Sequence, residues 1–451
     1  MGDEPPVAAR DTSFFGEPKA LGYLAFTEAW ERFSYYGMTA LLVLYMTEAL
    51  FLPDRIDRIA GFAVFRHALE GVFGPMTTIA LASQVLGLYT AFAYFTPVLG
   101  GLIADRWIGR RVAVALGAIL MSAGHIAMAF DASFLVALLL LIVGCGLLKG
   151  NISSQVGELY PEGDSEGRTR GFSIFSMGIN VGAVVGPLLC GLLAQIYGWH
   201  AGFALAGGLM LIGLVTYLVG YKHMPGDRKA ADRIAVEHKP LTSTEWRTVA
   251  ALGVVTAITV FQSIAYYQNT NLGLVWAEKA VDLNLLGFHM PVAWFSSIDP
   301  FASVICVPPL FALWRWQSAR GKEPDDMGKI ALGAWMAAFA NLLLVPACLA
   351  GDRTPLVIPV IYDFILGVAF LYYWPPLLAL VSRTAPAKLK ATLMGAVFLS
   401  LFVGNALVGW IGGFYEKMSP ASFWFMHAGI AAVGGVLATV LARPLKRNLS
   451  A

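Results

Sequence analysis

Twelve long apolar runs, separated by short polar segments, occupy almost the whole chain. A run of ~20 such residues matches the hydrocarbon thickness of a bilayer. Inside that layer the backbone has no water to bond, so each run must close its own hydrogen bonds as a helix. The expected fold is therefore an all-α polytopic membrane protein with twelve transmembrane helices. Composition agrees: 57% of the 451 residues are hydrophobic and 13% are charged, against roughly 25% charged in an average soluble domain. Too few charges remain to cover a water-soluble body, which excludes a soluble enzyme, a disulfide-stapled secreted domain and a disordered chain. The four cysteines lie within apolar stretches without pairing or metal-ligand spacing and are read as packing residues. Acidic residues at 3, 4, 11 and 17 argue against a cleaved signal, so the first apolar run is expected to stay as a span.

Charge placement predicts orientation. With both termini in the cytoplasm, 23 of the 31 Lys and Arg residues fall in cytoplasmic segments and 6 in the opposite loops, with Arg32 and Lys149 inside spans. The longest polar stretch between spans, 222–247, carries six basic residues and divides the chain. The predicted layout is a cytoplasmic tail (1–20), a six-helix bundle (21–221), a cytoplasmic linker (222–247), a second six-helix bundle (248–442) and a cytoplasmic tail (443–451). Two six-span halves with a substrate site between them are the layout of a secondary transporter. The first outer loop, 47–76, contains the mixed run PDRIDR and suits a short interfacial helix. No phosphate-binding loop and no catalytic motif is present, so the expectation is a non-enzyme without a cofactor, driven by an ion gradient. A net charge of +2 suggests no nucleic-acid partner.

The first span breaks the apolar rule. Glu28, Glu31 and Arg32 sit in it together, and each charge at bilayer depth costs at least ~2.5–3.5 kcal/mol on insertion scales. Spacings of three and four place them on one helix face with Tyr35 and Tyr36. Two acids beside one arginine leave a carboxylate that is either protonated or paired with a cation on another helix, and Lys149 in the fourth span is the other buried cation. A carboxylate alternating between a lysine and a proton is a workable proton carrier; the competing reading is a fixed network that only orients helices. In GGLIADRWIGRR (100–111), Asp105 and Arg106 can tie helix ends, while Arg110 and Arg111 can meet lipid phosphates, which reads as a gating and folding element.

These motifs resemble the proton-dependent oligopeptide transporter family of the major facilitator superfamily along nearly the whole chain. EAWERFSYYG (28–37) is similar to the family's ExxERFxYYG, and GLLKGNISSQVGELY (146–160) to its fourth-helix motif, with Gly150 where proline is usual. GFSIFSMGINVGAVVGPL (171–188) resembles FYMGINxGAxxxP with Ser176 replacing tyrosine, and AYFTP (93–97) matches YxTP. The resemblance implies proton coupling by Glu28 and Glu31 with Lys149 as partner. It implies a substrate carboxylate held by Arg32, Lys149 and Asn180, and a pocket lined by Tyr35, Tyr36 and Tyr94.

The second half departs from the pattern. AYYQNTN (265–271) puts Tyr267 at the usual glutamate and Gln268 at the following glutamine, the latter expected to touch substrate. In LGVAFLYYWPPLLAL (366–380), Phe370 replaces the glutamate that in the family holds the peptide amino terminus, and Trp374 replaces a serine and is expected to narrow the pocket. PVAWFSSIDPF (291–301) carries Asp299 where the family has asparagine; it is either a new partner for the substrate ammonium or a helix cap before Pro300. Asp363 is a weaker candidate of the same kind. Trp276 and Trp294 read as interfacial-belt residues, and His125 and His427 as hydrogen-bonded structural histidines. The combined expectation is a monomeric multi-pass plasma-membrane symporter that imports di- or tripeptides with protons. The alternatives are transport of another carboxylate-bearing solute and a non-transporting relative.

Overall fold

The computed structural model describes residues 13–161, 163–226, 241–351 and 353–449. Most of the 1–20 tail, the middle of the 222–247 linker and the last two residues of the 443–451 tail lie outside the described residues. The first bundle contains α1 (Lys19–Tyr45), α3 (Thr78–Ile103), α4 (Arg110–Ala127), α5 (Phe134–Glu158), α6 (Ser165–Tyr197) and α7 (Trp199–Gly220). The second contains α8 (Ser243–Tyr267) with its continuation α9 (Leu274–Ala280), then α10 (Ile298–Ser318), α11 (Asp326–Leu349), α12 (Val357–Thr384), α13 (Lys390–Gly412) and α14 (Pro420–Leu449). Among the described residues, eleven helices are long and apolar enough to cross a membrane. The remaining long helix is α1, 27 residues interrupted by Glu28, Glu31 and Arg32.

The first outer loop does hold a short helix, α2 (Phe62–Phe73), but it begins after PDRIDR, whose Ile56–Arg58 form a 3-10 turn. Among the described residues, the one pair of strands is a short hairpin, β1 (Asn284–Leu285) with β2 (Phe288–His289), turned by Leu286 and Gly287 at positive φ.

Because successive spans reverse direction, α1 and α14 leave both termini on one face. The bundles are joined towards the opposite face, along α3 and α13. A Cβ on Gly87 would lie 2.6 Å from Gly409 Cα and 2.8 Å from the Asn405 carbonyl oxygen, so the two backbones touch there. Asn271 donates to Ser83 Oγ at 2.9 Å, and Thr77 bonds Glu416 at the same end. Trp294 and Ser297 donate across the interface to the Leu188 and Val184 carbonyls. Ion pairs at the terminus face, such as Arg170–Glu17, Arg383–Asp326 and Lys446–Asp325, instead join parts of one bundle. The seam is tight far from the termini.

Gly87→Ala tests that seam. Alanine suits a helix interior by about 1 kcal/mol over glycine, so harm must come from the inter-bundle clash. The expected result is faster labelling of Thr270→Cys by a membrane-impermeant thiol reagent added from the far face of a cysteine-free background. Unchanged labelling would show that this contact is not the closure.

Candidate functional site

The acid-bearing face of α1 is turned inward by α6. Gly178, Gly182 and Gly186 recur every four residues, and a Cβ on Gly182 would meet the Ala29 carbonyl oxygen at 2.6 Å. Small residues at this spacing let membrane helices meet backbone to backbone. Glu28, Glu31 and Arg32 are consequently no more than 2% exposed. Arg32 is the hub. Its guanidinium donates to the Glu31 carboxylate through Nε and Nη2, and Nε lies 3.2 Å from Glu28 Oε1. Glu28 Oε2 is buried with no hydrogen-bond partner among the described residues.

The expected carboxylate–Lys149 pair is therefore not what this state contains. The arginine fork binds Glu31 and its Nε also pairs with one oxygen of Glu28, while the Lys149 ammonium sits 4.6 Å from the centroid of the Tyr94 ring. Cations attract aromatic faces in this way.

Between the bundles lies a cavity of about 520 Å³. Tyr35, Tyr36, Tyr94 and Asn180 face it from the first bundle, and Tyr266, Tyr267, Asp299, Phe370 and Trp374 from the second. The Tyr94 and Tyr267 hydroxyls lie 3.3 Å apart and bridge the two walls. Arg32 and Lys149 stand one ring behind the wall: Arg32 Cζ is 5.0 Å from the Tyr35 centroid and 6.0 Å from that of Tyr36. Neither cation is among the residues that line the cavity; Arg32 is buried and Lys149 half-buried.

The second wall depends on a break in α8. Asn269–Gly273 form a π-helical turn between α8 and α9, with the Gly273 amide bonding the Gln268 carbonyl at 2.8 Å. Such turns re-aim side chains and occur often at functional sites. Here the turn brings Asn269 beside Asp299, and Asn269 and Tyr266 both donate to Asp299 Oδ2. Asn269 Nδ2 also lies 3.5 Å from Asp363 Oδ1. Asp299 is not the cap of its helix; Ser297 holds the N-cap position, without a side-chain bond, and the Asp299 carboxylate faces α8 and the cavity. Tyr266 stacks on Phe370, and Trp374 packs edge-on against Phe398.

Several expectations need correction. Gln268, which ends α8 just before the π turn, is fully buried off the cavity wall, with both amide atoms unpartnered among the described residues. At the terminus face Arg110, not Arg106, pairs with Asp105 and also with Glu158, while Arg106 is exposed. Arg111 donates to the Pro225 and Met224 carbonyls at the end of the first bundle. Trp276 is buried against Trp424 and Trp294 crosses the bundle interface, so neither is a belt residue. His427 bonds the Phe423 carbonyl, but neither nitrogen of His125 has a partner among the described residues. Tyr266 and Asn269 were missed; the polar run QNTN inside an apolar span was their signal.

Comparison with known proteins agrees with this architecture. The model of the POT family matches residues 111–239 and 227–425. An uncharacterized transporter, YclF, of Bacillus subtilis (strain 168) is 30% identical over 97% of this chain and 96% of its own. A di-/tripeptide transporter of Lactococcus lactis subsp. cremoris is 27% identical, covering 96% of this chain and 97% of its own. Among solved structures, a peptide transporter POT in complex with sulfate superposes with a TM-score of 0.82 at 30% identity, covering 96% of both chains. A POT family transporter in complex with 5-aminolevulinic acid gives 0.83 at 25% identity, covering 97% of this chain and 98% of its own. With a family match over most of its length, near-full-length relatives and the two-bundle fold of the major facilitator superfamily, this chain belongs to the POT family of membrane transporters.

Proposed function

We propose that the protein is a proton-coupled symporter that imports di- and tripeptides across the plasma membrane by alternating access, working as a monomer with both termini in the cytoplasm. The observation that carries this reading is the polarity of the cavity. Once one of Glu28 and Glu31 is protonated, Arg32 and Lys149 leave the first wall net positive, while Asp299, without a cation partner among the described residues, lies on the second. A zwitterion with its carboxylate towards α1, α5 and α6 and its ammonium towards α10 complements that field. Tyr35, Tyr36 and Tyr94 supply apolar faces and hydroxyls for a variable backbone. The peptide-transporting relatives support the substrate class.

The buried triad supplies the coupling. Protonating Glu28 or Glu31 removes a charge from the Arg32 hub, and substrate carboxylate then competes for the freed cation. Gating falls to the seam along α3 and α13 and to Asp105 with Arg110 at the terminus face.

Purified protein in liposomes should accumulate labelled dialanine when the outside is acid. A pH unit across the membrane is worth ~1.4 kcal/mol per proton, so accumulation should rise about tenfold per unit for each coupled proton. An uncoupler should abolish it. Uptake that ignores both the gradient and the uncoupler contradicts the reading.

A second reading has its own observation. Phe370 and Trp374 make the amino-end wall aromatic, and a POT family relative has been solved with 5-aminolevulinic acid. Another carboxylate-bearing solute is then the cargo, and competition of dialanine uptake by a solute panel separates the two. A receptor-like relative that does not transport would show no uptake at all.

A further inference from the structure

We infer that Asp299, Asn269 and Asp363 form a second proton-binding site, in the second bundle, which exchanges its proton as a substrate's amino end engages Asp299. This rests on the symport reading. Asp299 is 8% exposed and Asp363 4%. They are joined through one amide: Asn269 Nδ2 is 3.4 Å from Asp299 Oδ2 and 3.5 Å from Asp363 Oδ1. Two carboxylates this deep cannot both stay ionised without a counter-charge.

The surroundings provide no counter-charge. Tyr266 from α8 donates to Asp299, Tyr36 from α1 faces it across the cavity, and Tyr362 adjoins both acids from α12. Among the described residues no Lys, Arg or His interacts with either carboxylate. The polar residues that α6 contributes to the cavity wall, Ser176 and Asn180, are uncharged. The first bundle differs, since there Arg32 lies against both acids and Lys149 also acts on Glu28.

Two further observations point to an occupant. Tyr362, next to Asp363 on α12, has a buried hydroxyl with no hydrogen-bond partner among the described residues. A protonated carboxyl or a shifted proton changes which groups can donate to it. Asp299 also lines the cavity while Asp363 does not, so one acid can meet substrate and the other can keep the proton. When an ammonium approaches, Asp299 must be ionised to bind it, and the proton it held passes to Asp363 and travels with the substrate; Asn269, whose amide nitrogen donates to both acids, holds the two carboxyls together and does not itself relay the proton. The amino end of the substrate is thereby linked to the proton that Asp363 carries.

The test is proton stoichiometry, read in liposomes as the dialanine gradient that just balances a set proton gradient. Asp363→Asn should lower the proton-to-peptide ratio by one while gradient-free exchange of labelled for unlabelled dialanine persists. Asp363→Glu should restore the ratio. An unchanged ratio in Asp363→Asn overturns the inference and leaves the symport reading standing, whereas wild-type uptake indifferent to pH overturns the reading itself. If Asp363→Asn does not fold, pH-difference infrared spectra of wild type and Asp363→Glu decide. A protonated-carboxyl band displaced by the longer side chain supports the site, and identical spectra overturn it.

Discussion

Arg32→Leu is expected to abolish uptake and to destabilise the protein by about 3–5 kcal/mol, the usual effect of removing one partner from a buried ion pair. Arg32 is the cation bonded to both Glu31 and Glu28, all of them almost fully buried. Without it, two buried carboxylates remain against the single charge of Lys149. Acidification should recover part of the lost thermal stability, because a protonated carboxyl needs no counter-charge. Glu28→Gln combined with Arg32→Leu should recover more. Arg32→Lys should fall between, keeping the charge and losing the fork that reaches Glu31 through two nitrogens. Thermal-shift measurements over a pH series check all four. A leucine variant melting and transporting like wild type would mean that the triad is neither glue nor carrier.

The fold was legible because its signals are periodic and local. Apolar run length defines the spans, and the glycines every four residues in α6 foretell the contact that buries Glu28 and Glu31. The first wall of the cavity was legible for the same reason, since Tyr35 and Tyr36 lie within two turns of the acids on one regular helix. Legibility failed where the helix is irregular. The resemblance puts Gln268 in the pocket, but it ends α8 off the cavity wall, and the π turn after it sets Asn269 beside Asp299. Partner choice was illegible too. Whether Glu28 finds Arg32 or Lys149 depends on inter-helix distance, which spacing within one span does not encode. The same holds at the terminus face, where Arg110 pairs with Asp105 because the chain turns at Gly109 with positive φ.

Asp299→Asn should reduce dialanine uptake by about ten- to a hundredfold, since a hydrogen bond to a charged group is worth about 1.5–3 kcal/mol. The substitution is close to isosteric. An amide oxygen still accepts from Tyr266 and Asn269 at the positions they now hold, so the break in α8 and the melting temperature should be kept. What disappears is the negative charge on the second wall. The loss should therefore fall on substrates that carry an ammonium and spare those that do not: N-acetylated dialanine, weak in wild type, should compete equally well against both proteins. Normal dialanine uptake by the variant would remove Asp299 from recognition. Equal losses for acetylated and free peptide would mean that the charge serves the cavity's structure instead. The position also separates the two acids of the second bundle. Loss at Asp299, which lines the cavity, should appear as a raised KM, whereas loss at Asp363 behind it should leave KM and weaken the coupling to protons.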